Sequence, residues 1–181
     1  MAKRVFKSDL SIKGIEQLKK DLLNYKNSTL PNLYEQYVIA LAQEGISVAK
    51  QNVGGFGKYL TFSVKTEVSK DGCKALLLAS ENGKIISTWK SYGEIKSAEV
   101  SPLQMTEFGS GLGAENPMQI PGVGQGTFPG QTHAFDKEGW YWIDEDDNLN
   151  YSRGITAKMP MYKASIRIQE IAIKKAKEIF G

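Results

Sequence analysis

Apolar positions Ile15, Leu18, Leu22 and Tyr25 recur at helical spacing, which predicts an amphipathic helix opened near Gly14 and closed by Asn27-Ser28 and Pro31. Before it, residues 4–10 alternate weakly and predict a short strand. A second helix is expected from Pro31 or Asn32, since proline suits a first helical turn. Its stripe is Leu33, Tyr37, Leu41 and Val48, widened by Val38 and Ala49. At about 20 residues it would be about 30 Å long. Gly45 interrupts it, at a cost of about 1 kcal/mol relative to alanine.

Gly54-Gly55-Phe56-Gly57 ends that helix, and the period changes to two. Leu60, Phe62, Val64 and Thr66 alternate with polar residues and predict a half-buried strand. Lys70-Asp71-Gly72 signals a hairpin to a partner strand over 74–79. Asn82-Gly83 repeats the signal before a third strand over 84–89. Residues 91–106 fit neither period. Residues 109–135 hold seven glycines and three prolines, a length of loop that is rare in a compact domain unless it serves binding. Gly139 to Asn150 predicts a hairpin with an acidic tip, and a C-terminal helix follows from Met159 or Pro160 with Ala164, Ile168, Ile171 and Ile179 on its apolar face.

The order predicts a single α+β domain over 1–181, with an antiparallel sheet packed against N-terminal helices and a C-terminal helix. Its expected parts are a mainly helical segment 1–53, strands over 58–109, a long Gly/Pro-rich loop over 110–138, a hairpin at 139–150 and a helix at 159–180. A length of 181 residues suffices for a sizeable core, and 41% hydrophobic with 24% charged residues is an ordinary globular composition. The longest apolar runs, such as Ala75–Ala79, fall far short of the ~20 residues that span a bilayer, so no membrane partner is expected. No apolar segment of signal-peptide length follows the N-terminal charges, and synthesis in a reducing cytoplasm is expected.

A net charge of +3 is too small to argue for nucleic acid, but it is unevenly spread. Residues 158–181 carry six basic against two acidic groups, whereas 136–147 carry six acidic against one basic. Such polarity suits head-to-tail contact between copies, although a solvated face gives the same pattern.

Candidate chemistry changes this picture little. The lone Cys73 precedes an apolar run, and the lone His133 lies in the loop, so no activated thiol is expected. The glycine runs lack the spacing of a dinucleotide fingerprint, and no Gly-Lys-Ser/Thr follows them. Asp144-Glu145-Asp146-Asp147-Asn148 opens like a calcium loop, but Leu149 stands where glycine should be and Ile155 where the bidentate glutamate should be. Trp140 and Trp142 should share one face of a strand with Tyr141 opposite, which favours packing or an interface over base stacking. No catalytic residue, metal site or cofactor is therefore expected.

Four segments occur in an order that resembles the tail-completion (head–tail joining, or neck) proteins of long-tailed bacteriophages. They are Ile46-Ser47-Val48-Ala49-Lys50 ending a helix, Leu60-Thr61-Phe62-Ser63-Val64 as a strand, Thr106-Glu107-Phe108-Gly109-Ser110-Gly111, and Gly154 through Pro160-Met161 to Ala164. They span most of residues 42–181. Where that family has a Pro-x-x-Thr-Gly turn, this chain has Val53-Gly54-Gly55-Phe56-Gly57. The resemblance implies a structural virion protein, made in the bacterial host cytoplasm, that forms a homo-oligomeric ring, usually sixfold. Its partners would be itself, the connector and neighbouring neck proteins, and the tail tube or terminator, with non-specific DNA contact in the lumen. A tail-terminator or stopper subunit is the alternative within that class, and a small cytoplasmic enzyme with an unrecognised site the alternative outside it. Candidate interface residues are Glu107, Phe108, Gly109, Trp140, Trp142, Lys174, Lys175 and Lys177.

Overall fold

The computed structural model describes residues 5–69, 72–120 and 138–181. The protein is α+β, with four α-helices and six strands among these residues. The strands form two sheets where one was expected, ordered β1-β2 and β4-β3-β5-β6.

Helices α1 (Ile12–Asn24) and α2 (Leu30–Gln51) are joined by a π-helical stretch, Tyr25–Thr29, in which the Leu30 N–H donates to the Tyr25 carbonyl. The break expected at Asn27-Ser28-Pro31 is thus corrected. Proline clashes with the carbonyl four residues back in a regular α-turn, and a wider turn relieves that clash without leaving helical dihedrals. The Ser11 hydroxyl caps α1 by accepting from the Gly14 N–H at 3.0 Å. Residues 5–9 form no strand, which corrects the expectation for 4–10, residue 4 lying outside the described residues. Here the Ser8 and Asp9 side chains accept from the N–H groups of Leu10 and Ser11, a local alternative to strand pairing.

Two compact units divide the chain. One comprises Met1–Ile46, Ser63–Leu78 and Ser165–Gly181, the other Ser47–Phe62 and Ala79–Ala164. The boundaries fall inside α2, β1 (Leu60–Ser69), β2 (Gly72–Glu81) and α4 (Pro160–Phe180).

In the first unit, Gly45 is a contact point rather than an interruption. A Cβ placed there would lie 2.8 Å from Ile168 Cδ1 and 3.1 Å from Leu77 Cδ2, so α2 approaches α4 and β2 more closely than any side chain would allow. The Tyr37 hydroxyl donates to the Ala172 carbonyl at 3.1 Å, and the Phe180 ring sits 5.4 Å from that of Tyr34 and 5.6 Å from that of Tyr37. Lys175 lies 3.7 Å from Glu44.

In the second unit the chain leaves α2 at Gln51 and turns through a 3-10 helix, Gly54–Tyr59, against which α3 (Pro102–Phe108) packs. The hairpin expected at Asn82-Gly83 is absent, because β3 (Ile85–Ser91) pairs with β4 (Glu94–Val100) in the other sheet. Asn82 instead prolongs the pairing of β2 with β1. Its N–H donates to the Tyr59 carbonyl, and its side chain accepts from the Thr61 hydroxyl, both at 2.8 Å. The β3–β4 turn is Tyr92-Gly93, with φ of 53° and 84°, the paired positive values of a tight hairpin. Residues 58–109, expected to be strands, thus also contain α3.

The hairpin of β5 (Trp140–Ile143) and β6 (Leu149–Ser152) completes the four-stranded sheet through the pairing of Lys90 with Ile143. Alternation along these strands separates two faces. Trp89, Trp142 and Val100 lie on the half-buried side, while Ile86, Ile95, Tyr141, Ile143, Leu149 and Tyr151 lie on the other, each 40–69% exposed. None of the helices among the described residues is long and apolar enough to cross a membrane.

Replacing Gly45 by leucine should overpack the α2–α4–β2 contact. We expect a loss of about 1–3 kcal/mol in urea unfolding. A variant as stable as the parent would show that the contact yields without strain.

Candidate functional site

Helix α4 begins with an N-terminal problem that its own sequence does not solve. Its N-cap position is Met159, held at φ 53°, which offers no side-chain acceptor to the first-turn N–H groups. Glu107, at the end of α3, supplies it from across the unit. Its two carboxylate oxygens accept from the N–H groups of Met161 and Tyr162, each at 2.9 Å. A carboxylate there also opposes the positive end of the helix dipole. Just before the helix, the Lys158 and Met159 N–H groups donate to the Thr106 carbonyl at 2.8 and 3.2 Å. Thr106 is fully buried, and its hydroxyl donates to the Pro102 carbonyl at 2.7 Å.

The glycines that follow bring two stretches of backbone together. The Ser110 N–H donates to the Ile155 carbonyl at 2.8 Å, Leu112 N–H to Arg153 at 3.0 Å and Ala157 N–H to Gly113 at 2.8 Å. The buried Ser110 hydroxyl accepts from the Ile155 N–H at 3.0 Å. A Cβ at Gly109 would meet the Ile155 carbonyl oxygen at 2.3 Å, and one at Gly111 would meet Trp140 Cζ3 at 2.4 Å. Both residues have positive φ, 67° and 56°. Only glycine meets both demands. The indole of Trp140 therefore lies against the Gly111 backbone, and residues 106–113, 140 and 153–162 form one interlock.

Of the expected site residues, Glu107, Gly109 and Trp140 are thus brought together, with Phe108 half-buried beside them and its carbonyl accepting from the Glu115 N–H at 2.8 Å. Trp142 shares the half-buried sheet face with Trp140, and Tyr141 is 68% exposed opposite them. Lys174, Lys175 and Lys177 belong to the other unit, where Lys174 and Lys175 lie 3.9 and 3.5 Å from Glu178. Much of the 110–138 loop, including His133, lies outside the described residues, and residues 111–113 form a turn of 3-10 helix. Cys73 is a half-buried residue of β2.

The acidic tip is a closed turn. Asp144 accepts from the N–H groups of Asp146 and Asn148 at 3.1 and 2.8 Å and from the side-chain amides of Asn148 and Asn150. The bond from the Asn148 N–H, aided by the Asn150 amide, holds its carboxyl below the usual aspartate range. Its oxygens hold the backbone of the turn in place.

Sequence reasoning overlooked Glu81, the last residue of β2. Its carboxylate accepts from the Ser101 hydroxyl, from the Leu103 N–H at 3.3 Å and from Lys84 Nζ at 2.6 Å, tying the strand to the start of α3. Partial burial pushes its pKa up, but the Lys84 and Ser101 bonds outweigh that and leave it below its ordinary value. A glutamate before Asn-Gly carries no signature of that role.

Comparison with protein-family models, curated protein sequences and solved structures gives no match.

Loss of a helix cap costs about 0.5–2 kcal/mol, so Glu107→Ala should lower unfolding stability by that amount. An unchanged midpoint would show that water replaces the carboxylate at no cost. Glu81 gives a pH test with a defined sign. Its folded-state pKa is lowered, so its stabilisation is complete above about pH 4.5 and is lost as pH falls through the lowered value. Glu81→Gln should therefore be less stable than the parent at pH 7, with the gap closing below pH 4.5 in thermal melts. A gap independent of pH would remove the charged carboxylate from the account.

Proposed function

We propose that this chain is a structural virion subunit of the head–tail joining class, forming a ring, sixfold as in the family it resembles, between the head connector and the tail tube. It would be assembled from host cytoplasm into the neck of the particle. The carrying observation is the interlock. The segments that bear the resemblance near Glu107 and near Pro160 are far apart in sequence, yet one carboxylate and a short ladder of backbone bonds join them. Glu107, Gly109, Gly111 and Met161 stand within those two segments at the positions that build the junction. The outer face of the four-stranded sheet supports the same reading, because Ile86, Ile95, Tyr141, Ile143, Leu149 and Tyr151 are exposed on it and exposed apolar surface marks contact with other molecules.

The test is mass spectrometry of gradient-purified phage particles from the source, with copy number scaled to the major tail protein. A few copies per particle, consistent with one ring, are expected. Absence from intact particles would overturn the reading.

A further inference from the structure

The outer sheet face and helix α1 are both apolar, both exposed, and differ in charge. None of the residues of α1 is buried. Ile12, Ile15, Leu22 and Leu23 are 45–80% exposed and fall on one side of the helix, with Lys19 projecting from the same side. The sheet face ends instead at the acidic tip Asp144–Asp147 and carries Glu99 opposite Ile86 and Thr88 opposite Ser97, while Lys90, between Ile95 and Ile143, is already engaged by Asp147.

We infer that the outer face of β4-β3-β5-β6 is the docking site for α1 of a second copy of this chain. The inference rests on the ring reading and names the contact that would build it. Sizes agree. Thirteen helical residues span about 20 Å. Four strands cover roughly 14 Å across, and the seven-residue strands β3 and β4 run roughly 23 Å. Charge selects the helix over a second sheet. Sheet against sheet would set Glu99 and the acidic tip against like charges, whereas α1 brings lysine. The contact is heterologous, with each copy offering one helix and one sheet face, the type of contact that gives a ring when its rotation closes.

Two double variants test it: a sheet variant, Tyr141→Glu with Leu149→Glu, and a helix variant, Ile15→Glu with Leu22→Glu. All four positions are exposed, and circular dichroism with thermal melting checks that each variant folds as the parent does. Sedimentation velocity should show the parent self-associating, more weakly at high salt. Each variant alone should weaken association by about 100-fold or more, since two buried apolar side chains are lost. Mixed together, the variants retain one intact helix and one intact sheet face between them. They should form a 1:1 dimer and nothing larger, which also requires both to be folded. A parent that stays monomeric overturns the inference, as does a variant that assembles like the parent, or a mixture that stays monomeric. A parental ring that survives both variants overturns the contact but leaves the neck-subunit reading intact, which particle composition decides separately.

Discussion

The second unit depends on the carboxylate of Glu107 at the start of α4. A helix that opens at Met159-Pro160 has no side chain of its own to receive its first N–H groups. Left without a protein acceptor, those donors must find water or forfeit the helix end. Glu107 supplies both acceptors at 2.9 Å from a residue more than fifty positions earlier. Because the bonds are short and directional, they fix where α3 ends relative to where α4 begins. The Thr106 carbonyl, receiving Lys158 and Met159 one residue earlier, makes the same junction a second time.

Backbone approach follows from that constraint. With residues 106–107 held against 158–162, the chain on either side runs close enough for ladder bonds between 110–113 and 153–157. There is no room for side chains there, which is why Gly109 and Gly111 stand in left-handed conformations against carbonyl oxygen and indole. Trp140 covers the junction and thereby orients β5, so that the tryptophans face inward and Tyr141 faces out. A strand cannot bury both faces against one layer, and the alternation that buries Trp142 exposes Ile143 and Leu149 on their neighbouring positions.

On that outer face the Tyr141 and Tyr151 rings lie 5.0 Å apart, while much of the apolar surface around them stays exposed. Exposed apolar side chains of this kind, on the sheet and along α1, mark candidate contact surfaces. The acidic tip beside the sheet is stiffened by the bonds around Asp144, so its charge is presented in a fixed place. Under the head–tail joining proposal, the rigid junction and these exposed apolar side chains would serve assembly from copies.

By itself the sequence determined the α+β class, the span of α4, the hairpin around the acidic tip and the opposed faces of Trp140 and Tyr141, because those depend on local period and turn chemistry. It misjudged the passage from α1 to α2, where a proline was absorbed by a widened turn, and Asn82-Gly83, where an asparagine served a neighbouring strand. It also read Gly45 as a defect, since a close helix approach is visible only when Ile168 and Leu77 are in place. The split into two sheets, the capping of α4 by Glu107 and the anchoring of α3 by Glu81 were decided by tertiary structure alone. Each joins groups dozens of positions apart in the chain or depends on which strand edge is free. Periodicity records which face of an element is apolar, but carries no information about which distant backbone groups need a partner.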